Sequence, residues 1–191
     1  MKNIIKAGFI TLIAASSLSA TAADYVIDTK GMHAAINFRI QHLGYSWLYG
    51  QFRDFTGQFS FDENNPDAGS VSVNIDTTSI DSNHAERDKH LRGDDFLATD
   101  QFPAASFTST SVDLDSTGNG TISGDLTLKG NTRPVTLEVK GIGAGNDPWG
   151  GYRRGFEATT ELTLADFGID YNLGPAAKNV ELILSIEGVR Q

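Results

Sequence analysis

The sequence predicts an all-β fold, a closed antiparallel barrel of eight strands with an apolar interior and one inserted helix. Eight stretches of the chain alternate apolar and polar residues, and residues 55–61, 71–75 and 180–186 show the alternation most clearly. A period of two places the apolar side chains of each strand on one face. Eight such strands can hide that face by closing into a barrel. A barrel of this size either fills its interior with side chains or holds one small ligand.

The strands follow one another as a meander. They are expected at about 36–40, 49–61, 71–77, 105–114, 122–128, 135–139, 156–164 and 180–189. The apolar parity shifts between Phe107 and Val112, which predicts a β-bulge in the fourth strand. Gly130 and Asn131 predict a tight hairpin between the fifth and sixth strands.

One helix, at about 83–92, interrupts the meander between the third and fourth strands. Asn83 is the expected N-cap and Glu86 completes a capping box. Asp88 and Arg92 form an i,i+4 pair, and Gly93 ends the helix. A helix inserted here would lie across one barrel end as a plug or lid.

Residues 1–22 resemble a signal peptide that is removed on export. Lys2 and Lys6 form a positive region, an apolar run follows, and Ala20-Thr21-Ala22 is a typical cleavage site. The run is too short to span a bilayer. We therefore expect residues 23–191 to form a single barrel domain that is exported. The loss of two lysines takes the formal charge from −9 to −11.

Composition excludes several classes of function. The acidity argues against nucleic acid and anionic lipid surfaces as partners. The absence of cysteine excludes a thiol nucleophile, a thiolate metal site, a lipoprotein anchor and stabilisation by disulfides.

Four glycines, Gly57, Gly124, Gly141 and Gly188, stand at positions of inward parity. They either let long strands coil and turn corners, or remove core volume and help to leave a slot. Both roles are compatible. A slot with this lining would be dry and would accept an apolar guest.

Several motifs resemble those of the bacterial YceI family, in order along the whole mature chain. The segments are His33-x-x-Ile36-Asn37-Phe38, Gln41-His42-Leu43-Gly44-Tyr45-Ser46-Trp47, Asn83-His84-Ala85-Glu86-Arg87-Asp88-Lys89-His90-Leu91-Arg92, Gly124-Asp125-Leu126-Thr127-Leu128, Asp147-Pro148-Trp149-Gly150-Gly151 and Leu173-Gly174-Pro175. The resemblance implies an extended lipocalin-like barrel of eight strands. It also implies a polyisoprenoid ligand, such as a polyprenyl pyrophosphate or a long-tailed quinone.

A tunnel of aliphatic and aromatic side chains suits a long, featureless prenyl chain. Roughly 20 buried carbons would contribute a gross ~16 kcal/mol, of which immobilisation takes back a large share. The candidate ligand-binding residues are the strand residues that parity places inward, together with Tyr45 and Trp47 of the turn after the first strand. The inward residues are Ile36, Phe38, Ile40, His42, Phe59, Phe61, Val73, Phe107, Leu126, Leu128, Leu137, Phe156, Leu162, Leu182 and Leu184.

Selectivity among lipids must come from the mouth of the tunnel. Tyr45, Trp47 and Tyr49 suit a boundary between apolar interior and water, or pack as an ordinary hairpin. His42, Arg92 or Arg39 could meet a pyrophosphate or quinone oxygen, although Arg39 points outward by parity. Trp149 could fold over a rim or anchor its loop.

Two rival classes fit less well. A metal site on the helix is disfavoured, because His84 and His90 are six residues apart and pair more simply with Asp88 and Glu86. The sequence contains no Gly-x-Ser-x-Gly elbow and no phosphate loop, so no catalytic residue and no cofactor are expected. An outer-membrane barrel would turn its apolar face outward, and the capped helix argues against that form.

The expected function is that of a soluble periplasmic carrier or storage protein for a long-chain isoprenoid lipid. The alternative is a structural or stress-related periplasmic barrel without a dedicated lipid. We expect no stable membrane insertion, and a homodimer is possible by analogy with similar barrels.

Overall fold

A computed structural model describes residues 22–191 of the chain. The predicted signal peptide therefore lies outside the described residues, apart from Ala22. The strands are β1 (Ala23–Ile27), β2 (Ala35–His42), β3 (Ser46–Phe52), β4 (Phe55–Phe61), β5 (Ser70–Asp76), β6 (Ile80–Asp81), β7 (Ala104–Leu114), β8 (Gly120–Leu128), β9 (Asn131–Asn146), β10 (Tyr152–Thr163) and β11 (Asn179–Arg190). The helix is α1 (Ala85–Arg92), and four short 3-10 turns complete the regular structure.

The strands close into an antiparallel barrel. Strands β4, β5, β7, β8, β9, β10 and β11 pair in that order. The ring closes because β11 pairs with both β1 and β2, while β1 also pairs with β4. Strands β1 and β2 thus act as two halves of one bent strand, and β3 and β4 as halves of the next. The predicted barrel of eight strands is confirmed.

Two strand segments were not predicted. The prediction began its first strand near Ile36, whereas β1 begins at Ala23. The segment has only five residues, which leaves little room for an alternating pattern to appear. Strand β6 has two residues, Ile80 and Asp81, and pairs with the end of β3.

The predicted irregularities lie close to their expected positions. The register between β7 and β8 shifts between Ser109 and Ser111, within the predicted bulge region. Leu128 pairs with Asn131, so the hairpin loop is Lys129–Gly130, one residue earlier than predicted. Both loop residues have positive φ, 47° and 72°, as a type I′ turn requires.

The start of α1 differs from the prediction. The N-cap is His84, whose Nδ1 accepts a hydrogen bond from the backbone N–H of Arg87 at 3.3 Å. Asn83 precedes it with φ 62° and donates its N–H to a carboxylate oxygen of Asp81. Asn83 is therefore the last residue of a turn and not the cap, and the capping box with Glu86 was wrong.

Asp88 also has a different partner from the one predicted. It is buried and accepts hydrogen bonds from the backbone N–H of Ser82 at 2.7 Å and from the Ser82 hydroxyl. Arg92 instead donates to the carbonyl of Ile80 at 3.3 Å. Both contacts fasten the helix to the segment before it. Gly93 ends the helix as predicted, with an ordinary φ of −73°.

The core has two parts. The larger cluster lines the barrel interior and includes Phe59, Phe107 and Leu126. A second cluster, made of Phe38, Ile80, Phe96, Leu97 and Ile169, joins the segment after α1 to one barrel end. Among residues 22–191, no helix has the length and hydropathy needed to cross a bilayer.

Candidate functional site

Two adjacent apolar cavities occupy the barrel axis. The larger has a volume of about 640 Å³ and the smaller about 120 Å³. Four residues line both cavities, so the two lie end to end and meet at a neck formed by Ile36, Ile75, Leu126 and Leu182. The apolar strand faces therefore point inward and enclose space.

The smaller cavity lies in the more crowded half of the barrel. Its lining is apolar apart from Ser60, Ser70 and Thr160. Aromatic rings crowd this half, where Tyr25 stacks on Phe59 at 4.8 Å between centroids. The larger cavity lies at the other end, between the barrel and the segments that contain α1 and residues 169–177.

Most of the candidate ligand-binding residues line one or both cavities. The smaller cavity is lined by Ile36, Phe59, Phe61, Val73, Phe107, Leu126, Leu137, Phe156, Leu182 and Leu184. The larger is lined by Ile36, Phe38, Ile40, His42, Leu126, Leu128, Leu162 and Leu182. These positions are the ones that strand parity places inward.

The structure does not place Tyr45 or Trp47 on either cavity. Tyr45 lies at the tip of the β2–β3 hairpin and is 86% exposed. Trp47 lies on the outer face, where its ring is 4.4 Å from the guanidinium of Arg39. Tyr45 lies in the turn, whereas Trp47 lies on β3 opposite Gln41, one residue before Leu48, which lines the larger cavity. Neither residue contacts a cavity, and their role at the boundary between the apolar interior and water stays a prediction.

The four inward glycines do not leave a slot. A Cβ on Gly124 would lie 2.5 Å from Cζ of Phe107, and one on Gly57 would lie 2.7 Å from Cδ1 of Ile27. A Cβ on Gly188 would collide with the Phe59 ring. Neighbouring side chains thus fill the space that the glycines vacate. The remaining glycine, Gly141, is approached by the backbone of residues 117 and 118. The slot interpretation was wrong.

The polar groups at the wide end come from α1, from the end of β2 and from Asn172. Arg87 and His90 line the larger cavity together with His42. Arg87 is held by Ser82, to which its Nε donates at 2.7 Å. His90 packs edge-on against the Phe96 ring, with the centroids 4.9 Å apart. Sequence reasoning missed Arg87 and His90 as lining residues, although both belong to the helix that it predicted.

The other predicted head-group partners do not face the cavity. The Arg92 side chain donates to the backbone instead of lining the cavity. Arg39 points outward as its parity predicts, and its Nε donates to Glu181 at 2.6 Å. The hydrogen bond to Glu181 raises the pKa of Arg39 above its usual value. Trp149 is 78% exposed and its ring lies 5.6 Å from the Arg153 guanidinium.

Near the opposite end, an arginine holds together an acidic cluster. Asp28, His33 and Glu187 place potential metal-ligating atoms within 4.8 Å of one another, the one such cluster found among residues 22–191. The Arg153 guanidinium already bridges it, with Nη1 donating to Asp28 at 2.6 Å and to Glu187. This hydrogen bond, helped by the N–H of Gly31 and by His33, lowers the pKa of Asp28 to about 2. The group therefore serves as an ion-pair network.

The histidines of α1 do not converge on a metal position. His84 caps the helix, and Nε2 of His90 lies 3.2 Å from a carboxylate oxygen of Asp95. Neither pairs with Glu86 or Asp88 as the sequence suggested; His84 bonds Arg87 and Asp88 bonds Ser82.

The chain is similar to known proteins over its whole length. A family model described as a YceI-like domain matches residues 25–188. The curated Protein YceI of Escherichia coli O17:K52:H18 is 59% identical over 190 residues, which cover 100% of this chain and 98% of the relative. These matches agree with the resemblance seen in the motifs.

Solved structures share the fold. Burkholderia cenocepacia BcnA matches with a TM-score of 0.72 and 21% identity, over 84% of this chain and 98% of that chain. A polyisoprenoid binding domain from Saccharophagus degradans, implicated in plant cell wall breakdown, matches with a TM-score of 0.65 and 16% identity. That match covers 90% of this chain and 100% of that chain. At these identities the likeness shows the fold alone.

Proposed function

The chain belongs to the YceI-like family, and from this premise we propose that it is a soluble periplasmic carrier or storage protein for a long-chain isoprenoid lipid. The two adjoining apolar cavities along the barrel axis carry this proposal. Membership of the YceI-like family and a structural neighbour described as a polyisoprenoid binding domain support a binding protein over an enzyme.

The bore has the shape that a prenyl chain needs. The larger cavity, at about 640 Å³, lies within the range of small-molecule sites, and the smaller extends it along the barrel axis. Its wall offers dispersion contacts and almost no hydrogen bonds. A hydrocarbon chain has no hydrogen bonds to lose on entering such a cavity, whereas a polar ligand would lose its hydration without compensation.

The head group belongs at the wide end. Arg87, His90 and His42 supply the polar side chains there, together with Gln41 and Asn172. A guanidinium and imidazole groups can donate to a pyrophosphate oxygen or to a quinone carbonyl. We therefore propose that the tail enters first, through the neck, and that the head group stays beside α1.

Native mass spectrometry of the purified protein, with organic extraction of bound material, tests the proposal. A long-chain prenyl species is expected, and repeated recovery of an empty protein would contradict it. Phe38→Trp in the larger cavity should abolish lipid co-purification, and Leu184→Trp in the smaller should reduce it. Ser185→Trp is the matched control, because Ser185 lies on the same strand as Leu184 but is exposed. Unchanged lipid content in both cavity variants, with folding verified by circular dichroism, would refute the assigned lining.

A further inference from the structure

A single arginine lies among apolar side chains just beyond the smaller cavity. On β10, Phe156 and Ala158 line this cavity, and Leu162, further along the same face, lines the larger one. Arg154 is the next residue of that face in the opposite direction. It pairs with Gly188 on β11, where a Cβ would collide with an interior ring. Arg154 therefore points inward at the barrel end away from α1, which is called the narrow end.

The Arg154 guanidinium is buried and incompletely paired. Its side chain is 7% exposed, and its Cζ lies 4.3 Å from the centre of the Phe61 ring, which itself lines the smaller cavity. Nη2 donates to the carboxylate of Glu63. Nε has no acceptor, and it is the one buried side-chain nitrogen or oxygen without a hydrogen-bond partner among residues 22–191. A buried donor of this kind costs free energy until an oxygen reaches it.

The unpaired Nε belongs to a fork of two donors. The N–H groups of Nε and Nη2 point in the same direction and can take two neighbouring oxygens. Arg87 uses both, since its Nε donates to the hydroxyl of Ser82 and its Nη2 to the carbonyl of the same residue. In Arg154, Glu63 pairs with Nη2 alone. The fork can therefore bind one further oxygen beside the Glu63 carboxylate.

The charge around Arg154 favours a neutral oxygen. Glu63 already neutralises the guanidinium, and Asp62 and Asp67 lie on the same connection between β4 and β5. A second carboxylate beside Glu63 would be repelled by a like charge. A hydroxyl group suits both neighbours, because it can accept from Nε and donate to the Glu63 carboxylate. A carbonyl oxygen would satisfy Nε alone.

The size of the smaller cavity limits the group that can reach this end. Its volume of about 120 Å³ holds roughly four methylene-sized groups at ~30 Å³ each. A quinone ring or a pyrophosphate with its chain exceeds this volume. The hydroxyl end of a single unbranched chain fits it.

We propose that Arg154 and Glu63 form a second ligand subsite, at which a long-chain primary alcohol binds with its hydroxyl group at the narrow end. The hydroxyl lies at the edge of the Phe61 ring, accepts from Nε of Arg154 and donates to Glu63. The chain runs back through the neck into the larger cavity, opposite in direction to a prenyl lipid. The inference uses the same two cavities and therefore rests on the proposed carrier function.

Arg154→Met tests the subsite, because methionine keeps an unbranched side chain but has no donor. In competition with a fluorescent apolar probe, this variant should bind hexadecan-1-ol about tenfold more weakly than the wild type, as expected for a lost hydrogen bond to a charged group. Heptadecane, with a methyl group in place of the hydroxyl, should bind both proteins equally. Arg133→Met is the matched control, since Arg133 is exposed on β9 and lines neither cavity. Equal affinity of the wild type and Arg154→Met for the alcohol would overturn the proposal and assign Nε to a structural water.

Nuclear magnetic resonance locates the hydroxyl end directly. With hexadecan-1-ol labelled with carbon-13 at C1, the labelled methylene should show nuclear Overhauser effects to the ring protons of Phe61. Effects to the rings of His42 or His90 instead would place the hydroxyl at the wide end and refute the proposed direction.

Hexadecanoate distinguishes a hydroxyl group from a carboxylate at the subsite. It should bind the wild type about tenfold more weakly than hexadecan-1-ol because of Glu63. Glu63→Gln should recover most of this loss, while the affinity for the alcohol changes little, since the glutamine carbonyl still accepts. Hexadecanoate that binds the wild type more tightly than the alcohol would overturn the assignment of a neutral oxygen.

Prenyl lipid binding separates this inference from the carrier function. A prenyl lipid with its head group beside α1 should bind Arg154→Met as it binds the wild type. Wild-type protein that binds neither prenyl lipid nor hexadecan-1-ol would refute the carrier function itself. Normal prenyl binding, with no effect of Arg154→Met on the alcohol, would refute the subsite alone.

Discussion

The neck between the two cavities predicts that the affinity for a prenyl lipid depends on the length of its chain. Leu182 lines both cavities and lies on β11, where it pairs with Phe38 of β2 and Thr160 of β10. Leu182→Phe should obstruct the neck while leaving the larger cavity open. Long prenyl chains would then lose the part of their binding site that lies beyond the neck, whereas short chains would keep theirs.

The magnitude follows from the smaller cavity. Its 120 Å³ holds about four methylene-sized groups at the roughly 30 Å³ that a water-sized group occupies in a liquid. At about 0.8 kcal/mol for each group, burial contributes about 3 kcal/mol. Freezing the rotors takes back about half, which leaves ~1.5 kcal/mol, or about tenfold in affinity.

The assay compares two prenyl chains of different length in competition with a fluorescent probe. In Leu182→Phe the affinity of the long chain should fall about tenfold, while the short chain binds as before. Ile183→Phe is the control, since Ile183 is the next residue on the same strand and lines neither cavity. An equal loss for both chain lengths would show that the variant damages the barrel instead of the neck, and no loss would show that the tail never passes it.

Two further predictions concern stability. The pKa of Asp28 lies at about 2 because Arg153 bonds its carboxylate, so this stabilisation is complete above the unfolded pKa of 3.8 and is lost as the pH falls toward 2. Asp28→Asn should therefore be less stable than the wild type by about 1 kcal/mol near neutral pH, with the difference in Tm vanishing near pH 2; a difference independent of pH would refute the ion-pair explanation. Gly124→Ala should cost about 1–3 kcal/mol in urea unfolding because its Cβ meets the Phe107 ring, while Gly143→Ala, with no atom within 4 Å of its Cβ, should be near neutral. Equal costs for the two glycines would contradict this assignment.

The barrel could be predicted because parity is a local property of the sequence. Strand alternation identified the inward side chains, and fifteen of the seventeen candidate residues line a cavity. The β7 bulge was also visible, since an extra residue reverses the parity on either side of it. Strand β1 was missed because its five residues precede a long loop before β2.

The mouth could not be predicted in the same way. Tyr45 lies in the turn between β2 and β3, where parity does not apply, and the predicted second strand began only at about residue 49, so the pattern did not give the direction of Trp47. The partners of α1 depend on how residues 80–84 fold back against it, which helical spacing does not describe. Asp88 meets Ser82, six residues earlier, instead of a residue one turn away. The glycines illustrate the same limit, because only the fold shows which ring occupies the space of a missing Cβ.

The two ends of the barrel are stabilised by different interactions, and this difference affects where a ligand can enter. Near the narrow end, Arg153 binds Asp28 and Glu187, and paired strands surround the stacked rings. At the wide end, α1 and the segment after it make no strand pairing and rest on the second apolar cluster. Segments held by few long-range hydrogen bonds open at a lower free energy than the sheet around them. Hydrogen exchange should therefore be faster at residues 85–99 than in β7–β11, and bound lipid should slow it there first. If bound lipid slowed hydrogen exchange only at the narrow end, the ligand entrance would lie there and this prediction would be wrong.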